Sequence, residues 1–262
     1  MAGQAVTLLA EKVPFPPSVN DFYLPGWFYP WITKFTVLVW IAVAAIIIYF
    51  LTAYRKPKLV PGFNQWIAES IYGFARNSVA GEMLGEKEAR RFAPYLASLF
   101  SFLLLTNLMG IIPLIQISPN AHIAMPAVLG IISWVIYNYV GIKRHGAGKY
   151  FKDHLFPAGV PTAMYILITP LELISTFILR PFTLALRLFA NMFAGHVILL
   201  VFTLGGFVLL GSEQWFLKPV SLVSWALAIA LTFFEALIAV LQAYVFILLT
   251  TSYIQGSLAD DH

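Results

Sequence analysis

Five side chains in the last third of this sequence stand out as ionisable or amide groups set in apolar runs: Arg187, Asn191, His196, Glu235 and Gln242. Glu172 and Arg180 lie just ahead of them in similar surroundings. Ionisable groups at membrane depth cost several kcal/mol each, so such residues are kept for function by default. A guanidinium stays protonated, and Arg187 can therefore hold a carboxylate in its ionised form without passing a proton itself. An imidazole and a carboxylate at one level can do the opposite, because each perturbs the other and their coupled titration falls near working pH.

Helical geometry decides which of these groups can meet. At 100° per residue, Arg187 and Asn191 share a face, while His196 points about 180° away from Arg187. On the following helix Glu235 and Gln242 lie within about 20° of one face and are separated by about 10.5 Å of rise. With the two helices antiparallel and Gln242 beside Arg187, stepping back to Glu235 covers about 10.5 Å and stepping forward to His196 about 13.5 Å. The acid and the imidazole are thus expected at similar depth.

The elements that carry these residues are membrane spans. The chain is 60% hydrophobic and only 11% charged, against about 25% charged for a soluble domain. Phe35 to Tyr54 carries no charge and is long enough to cross a hydrocarbon core of about 30 Å. We place a first span at 31–54, an amphipathic helix at the cytoplasmic interface at 62–85, and a helical hairpin at 92–117 and 121–142, turned by Ser118, Pro119 and Asn120. Two longer apolar stretches follow at 163–208 and 218–257, divided by Gly205, Gly206, Gly211 and Ser212. These two exceed a perpendicular span and require steep tilting or a break, for which Pro170 and Pro181 are candidates. The expected fold is therefore an all-α polytopic membrane protein of about five embedded helices plus one surface helix.

Basic residues set its orientation. Arg55, Lys56, Lys58, Arg76, Lys87, Arg90 and Arg91 fall in one connection and Lys143, Arg144, Lys149 and Lys152 in another, which puts both on the cytoplasmic side. The N-terminus is then outside and the C-terminus cytoplasmic. Residues 1–30 hold five prolines among aromatics and no basic-then-apolar leader pattern, so they are expected to lie against the outer membrane surface, with Trp27, Tyr29 and Trp31 at headgroup level.

Several function classes are excluded or weakened by the same residues. The absence of cysteine removes disulfides, thiolate metal sites and thiol catalysis. No basic stripe interleaved with aromatics points to nucleic acid, and no HExxH, GxSxG or phosphate-binding loop points to an enzyme or a bound nucleotide. No cofactor is indicated. A secondary transporter also buries Arg and Glu, but the paired halves of those folds are missing here. A structural membrane subunit remains the other alternative.

The run from Leu186 through Arg187, Asn191 and Gly195 to His196 resembles the signature of the ATP synthase subunit a family. Leu241 to Thr250 is similar to the final-helix motif of that family, and Thr106 to Gly110 with Pro113 to its third-helix motif. The likeness, of bacterial type, extends from about residue 59 to the end. It implies a stator subunit with two offset half-channels beside a ring of c subunits, the last two helices lying tilted and antiparallel against that ring. Arg187 matches the essential arginine of the family, with Gln242 and Asn191 as polar neighbours. His196 and Glu235 match an acid and imidazole pair that some members carry in reverse order. Asn107, Thr183 and Glu172 are the further half-channel positions, and Gly110 stands where some members have an acid. The resemblance also implies the b subunits of the peripheral stalk as partners, the bacterial plasma membrane as the location, and ATP chemistry in a separate head.

Overall fold

The computed structural model describes residues 33–112, 117–155, 164–212 and 214–259, all in helices and short turns with no strand among them. The N-terminal segment 1–30 and Pro113 lie outside the described residues. Five apolar helical stretches are long enough to cross a membrane: Lys34–Ala53, Phe63–Leu108, Ala124–His145, Tyr165–Leu210 and Trp215–Leu258. The chain is an all-α polytopic membrane protein.

Helix α1 (Lys34–Ala53) starts at Thr33, whose hydroxyl accepts from the Thr36 amide at 3.5 Å. It buries only Leu38 and Ala42, which pack with Met109 beside Phe102 and Leu105, and leaves the rest of its apolar surface open. Helix α2 (Phe63–Gly73) continues through π-helical turns at Phe74–Gly81 into α3 (Glu82–Leu108). Gln65 ties the preceding connection down, exchanging two hydrogen bonds of 3.1 Å with the Lys58 backbone. Gly85 at φ +75° kinks α3 near its start, a conformation that glycine adopts without a Cβ penalty. Ala75, Val79 and Ala80 are buried, and the Phe74 ring sits 5.3 Å from Phe100 and 5.7 Å from Tyr244.

Several features differ from the sequence expectation, among them Gly205 and Gly206, expected to divide the last two stretches, which are buried inside the helix Arg180–Leu210. The first hairpin helix ends at Leu108, well short of residue 117, because the chain turns at Met109 to Ile112. After α4 (Ala124–His145), stopped by Gly146 at φ +82°, a further helix α5 (Ala147–Leu155) occupies what reads as a connection. Its Tyr150 is fully buried in a notch left by Gly141 and donates its hydroxyl to Asn138 Oδ1 at 3.1 Å.

The last two stretches dominate the molecule. Helix α6 (Tyr165–Leu173) passes through π-helical turns at Ile174–Leu179 into α7 (Arg180–Leu210). Helix α8 (Lys218–Leu258) follows antiparallel to it and is 41 residues long. At 1.5 Å per residue it measures about 60 Å, twice the hydrocarbon core, so it crosses obliquely. Packing draws on small residues, as it must where lipid is as apolar as leucine. Ala239 and Ala243 are fully buried on α8, and Leu96, Leu103, Leu188, Met192, Phe246, Ile247 and Ile254 close around them. Ser224 on α8 donates to the Phe202 carbonyl on α7 at 2.7 Å, and the Trp225 indole fills the space beside Gly206.

Helix α4 meets α7 just as closely. A Cβ at Gly130 would lie 2.9 Å from the Pro181 carbonyl oxygen and 3.4 Å from Ala185 Cβ. Backbone must move to admit it, at a cost of about 1–3 kcal/mol. We predict that Gly130→Ala lowers the thermal stability of the purified subunit in its complex, whereas Gly148→Ala, where nothing lies within 4 Å of the added methyl, leaves it unchanged.

Candidate functional site

The facing surfaces of α7 and α8 gather the polar groups singled out by spacing. His196 and Glu235 are both buried, at 6% and 4% exposure, with His196 Nδ1 3.5 Å from Glu235 Oε1. Neither carboxylate oxygen has a closed hydrogen bond among the described residues. Room for this pair comes from two glycines. A Cβ at Gly110 would sit 2.5 Å from His196 Cε1, and one at Gly195 would sit 2.9 Å from Glu235 Oε1. The space that Gly110 leaves is therefore filled by the imidazole itself.

A polar turn closes the pair from above. The short 3-10 turn Pro119–Ala121 is entered through Ser118, whose backbone N–H donates to His196 Nε2 at 3.1 Å. Ser118 Oγ donates to the Thr106 carbonyl at 3.0 Å. Asn120 Nδ2 donates to Thr106 Oγ1 at 2.8 Å and to Asn107 Oδ1 at 2.7 Å. Asn107 Nδ2 in turn reaches the Ala239 carbonyl on α8 at 3.2 Å, one helical turn after Glu235. Thr106, Asn107, Ser118 and Asn120 are all buried. Thr106 and Asn107 both lie in the third-helix motif, of which Asn107 was singled out; Ser118 and Asn120 read only as the hairpin turn, and it is the tertiary fold that buries them.

Farther along α7, Asn191 Nδ2 donates to Gln242 Oε1 at 2.7 Å, leaving the buried Gln242 Nε2 without a partner. Gln242 thus meets Asn191, one helical turn from Arg187, instead of Arg187 itself. Arg187 is exposed and forms no ion pair or hydrogen bond with a described residue. It shares an open strip with Thr183, Ala190, Ala194 and Val201, all exposed and all within about 80° of one another around the helix. The Thr183 hydroxyl is spent on the Leu179 and Arg180 carbonyls at 2.8 and 3.2 Å.

Glu172 belongs to a different group. It accepts from Thr176 Oγ1 at 3.0 Å, and the Thr176 carbonyl accepts from the buried Tyr137 hydroxyl at 3.0 Å. The Tyr137 ring stands edge-on to Tyr253 at 5.7 Å, and the Arg180 guanidinium lies 5.5 Å over the Tyr253 ring. Arg180 is therefore a packing cation held on an aromatic face, distinct in surroundings from Arg187. Among the described residues no cluster of three or more His, Asp or Glu side chains could hold a metal ion.

A multi-pass helical protein that buries a carboxylate, an imidazole and paired amides between its last two helices has the makings of an ion-conducting membrane subunit. Residues 36–255 match the family profile described as ATP synthase A chain. Among curated proteins, the chain is 40% identical to ATP synthase subunit a of a Nocardioides species over 94% of both chains. It is 41% identical to that of Rhodococcus erythropolis over 98% of this chain and 96% of that one, and 45% identical to that of a Parafrankia species over 91% and 77%. The chain belongs to the ATP synthase subunit a family, whose members are non-catalytic membrane subunits of the proton-transporting Fo sector.

The Gly110 contact makes a direct prediction. Gly110→Ala is expected to push the imidazole out of its seat and to lower proton pumping by up to about a hundredfold, the scale of a misplacement of an ångström. Gly256→Ala, with open space around its added methyl, is expected to be silent in the same vesicle assay.

Proposed function

We propose that this subunit forms two offset half-channels against a ring of c subunits and uses Arg187 to keep them apart. The observation that carries this reading is a guanidinium with no partner among the described residues, on an open, small-residue strip of a membrane helix. A charge left against hydrocarbon costs several kcal/mol, so that strip calls for a partner supplying a carboxylate at the same depth. A c-ring carboxylate meets the requirement: it is ionised while it passes Arg187 and protonated while it faces lipid. Ala190 and Ala194 let the ring helices come close, and Asn191 with Gln242 completes the polar surroundings of the passing carboxylate.

Protons enter from outside by way of the His196 and Glu235 region, with Asn107 in its wall. They leave on the cytoplasmic side after nearly a full turn of the ring, past the half-channel to which Thr183 and Glu172 belong. The b subunits of the peripheral stalk hold the subunit against rotation. In a bacterial plasma membrane the N-terminus lies outside and the C-terminus in the cytoplasm, the side favoured by the Lys and Arg connections. The subunit binds no nucleotide and couples ATP synthesis in the head only through ring rotation.

ATP-driven proton pumping in inverted vesicles carrying the whole synthase tests this reading. Arg187→Ala is expected to lower pumping by about a hundredfold or more, the scale on which a preorganised charge acts, while the subunit still assembles. Arg180→Ala is expected to keep most of the pumping. Normal pumping by Arg187→Ala would leave the chain as a structural membrane component.

A further inference from the structure

The donor that faces His196 limits what the imidazole can do. Ser118 presents its backbone N–H to Nε2 at 3.1 Å, and a peptide N–H does not give up its proton. Nε2 is therefore the lone-pair nitrogen and the ring proton sits on Nδ1, the atom that faces Glu235 Oε1 at 3.5 Å. The turn holding Ser118 is fixed in its own right. Asn120 donates its N–H to Ser118 Oγ at 3.2 Å and anchors its amide on Thr106 and Asn107, and Gly110 brings the helix end flush against the ring. A proton can be loaded on Nε2 only by breaking this turn or rotating the imidazole away from it.

From this geometry we infer that His196 is a positioning residue, a fixed N–H group aimed across 3.5 Å at the Glu235 carboxylate that orients it electrostatically without a closed hydrogen bond, and that Glu235 alone carries the proton through this part of the path. The inference rests on the half-channel reading above and replaces a relay through the ring with a single carrier. A relay through His196 needs one proton to arrive at Nε2 as another leaves Nδ1, and Nε2 already faces a donor that cannot leave. With a single carrier the balance is simpler. An incoming hydronium gives its proton to the Glu235 carboxylate, becoming water, and the carboxylic acid then gives the same proton to the next acceptor. The imidazole starts and ends each passage with one proton, on Nδ1. Neither Glu235 oxygen has a closed hydrogen bond among the described residues; Oε1 is the one that faces Nδ1, so Oε2 is left for the incoming proton. The space beside Gly195 gives the carboxyl group its clearance.

A non-titrating side chain that offers the same acceptor and donor separates these two roles. The carboxamide of glutamine can accept from the Ser118 N–H through its oxygen and donate to Glu235 through its nitrogen, yet it carries no proton at working pH. In inverted vesicles with equal amounts of assembled synthase, His196→Gln is expected to pump within about twofold of the unaltered subunit. His196→Ala and Glu235→Gln are expected to lose a hundredfold or so, the lower range for a group that transfers protons or holds one that does. If His196→Gln falls as far as His196→Ala while the complex assembles, the fixed-donor role is overturned and the half-channel reading stands. Full pumping by His196→Ala overturns it as well. Full pumping by Glu235→Gln overturns the half-channel reading and this inference with it. Should His196→Gln fail to assemble, His196→Asn, whose shorter amide offers the same pair of groups, is read by the same outcomes.

Discussion

A carboxylate buried inside a membrane protein sets the terms for everything around it. Glu235 is almost wholly enclosed and neither of its oxygens has a closed hydrogen bond among the described residues. Such a group is expensive in a purely structural element, since an apolar residue of similar volume would fill the space at no electrostatic cost. The surrounding structure is arranged to keep it. Gly195 clears its head, His196 supplies the facing nitrogen, and the Thr106, Asn107, Ser118 and Asn120 network fixes the imidazole. The same network joins three separate parts of the chain: the end of α3, the Pro119–Ala121 turn and the paired helices α7 and α8.

The two polar faces of α7 do different work because the helix separates them. His196 points inward to α8 and α3, whereas Arg187, Thr183, Ala190 and Ala194 point outward to a surface that no described residue covers. Asn191 lies at the border and is tied to Gln242. On the proposed function, this division would keep a permanent cation away from the group proposed to bind and release protons, so a carboxylate drawn to Arg187 would not compete with Glu235 for the imidazole. The two arginines of α7 differ for a related reason. Arg180 spreads its charge over the Tyr253 ring, while Arg187 has no such support.

Much of this was legible in the sequence because it depends on local periodicity. Long apolar runs marked the membrane helices, and the seven-residue step from Glu235 to Gln242 put both on one face of α8, where they are both buried. Antiparallel pairing then brought His196 to Glu235, while Gln242 met Asn191 in place of the Arg187 expected beside it. What periodicity could not supply was tertiary. Ser118 and Asn120 look like turn residues and only the return of the chain over α7 buries them. Helix α5 is nine residues long and mixes charged and apolar residues, so it gave no span-like signal, although Tyr150 anchors it firmly. Gly110 carries no chemistry of its own, and its importance lies in the side chain that occupies the space it leaves.

The central claim is that the outward strip of α7 carrying Arg187 faces the rotor. Because the sequence contains no cysteine, single cysteines can be introduced without background, and disulfide formation with cysteines on the outer helices of the c-ring measures proximity directly. Ala190→Cys and Ala194→Cys are predicted to cross-link to the ring in assembled synthase and to arrest ATP-driven pumping until the bond is reduced, whereas Val135→Cys on the exposed face of α4 is not. Efficient cross-linking from Val135, with none from Ala190 or Ala194, would contradict the account.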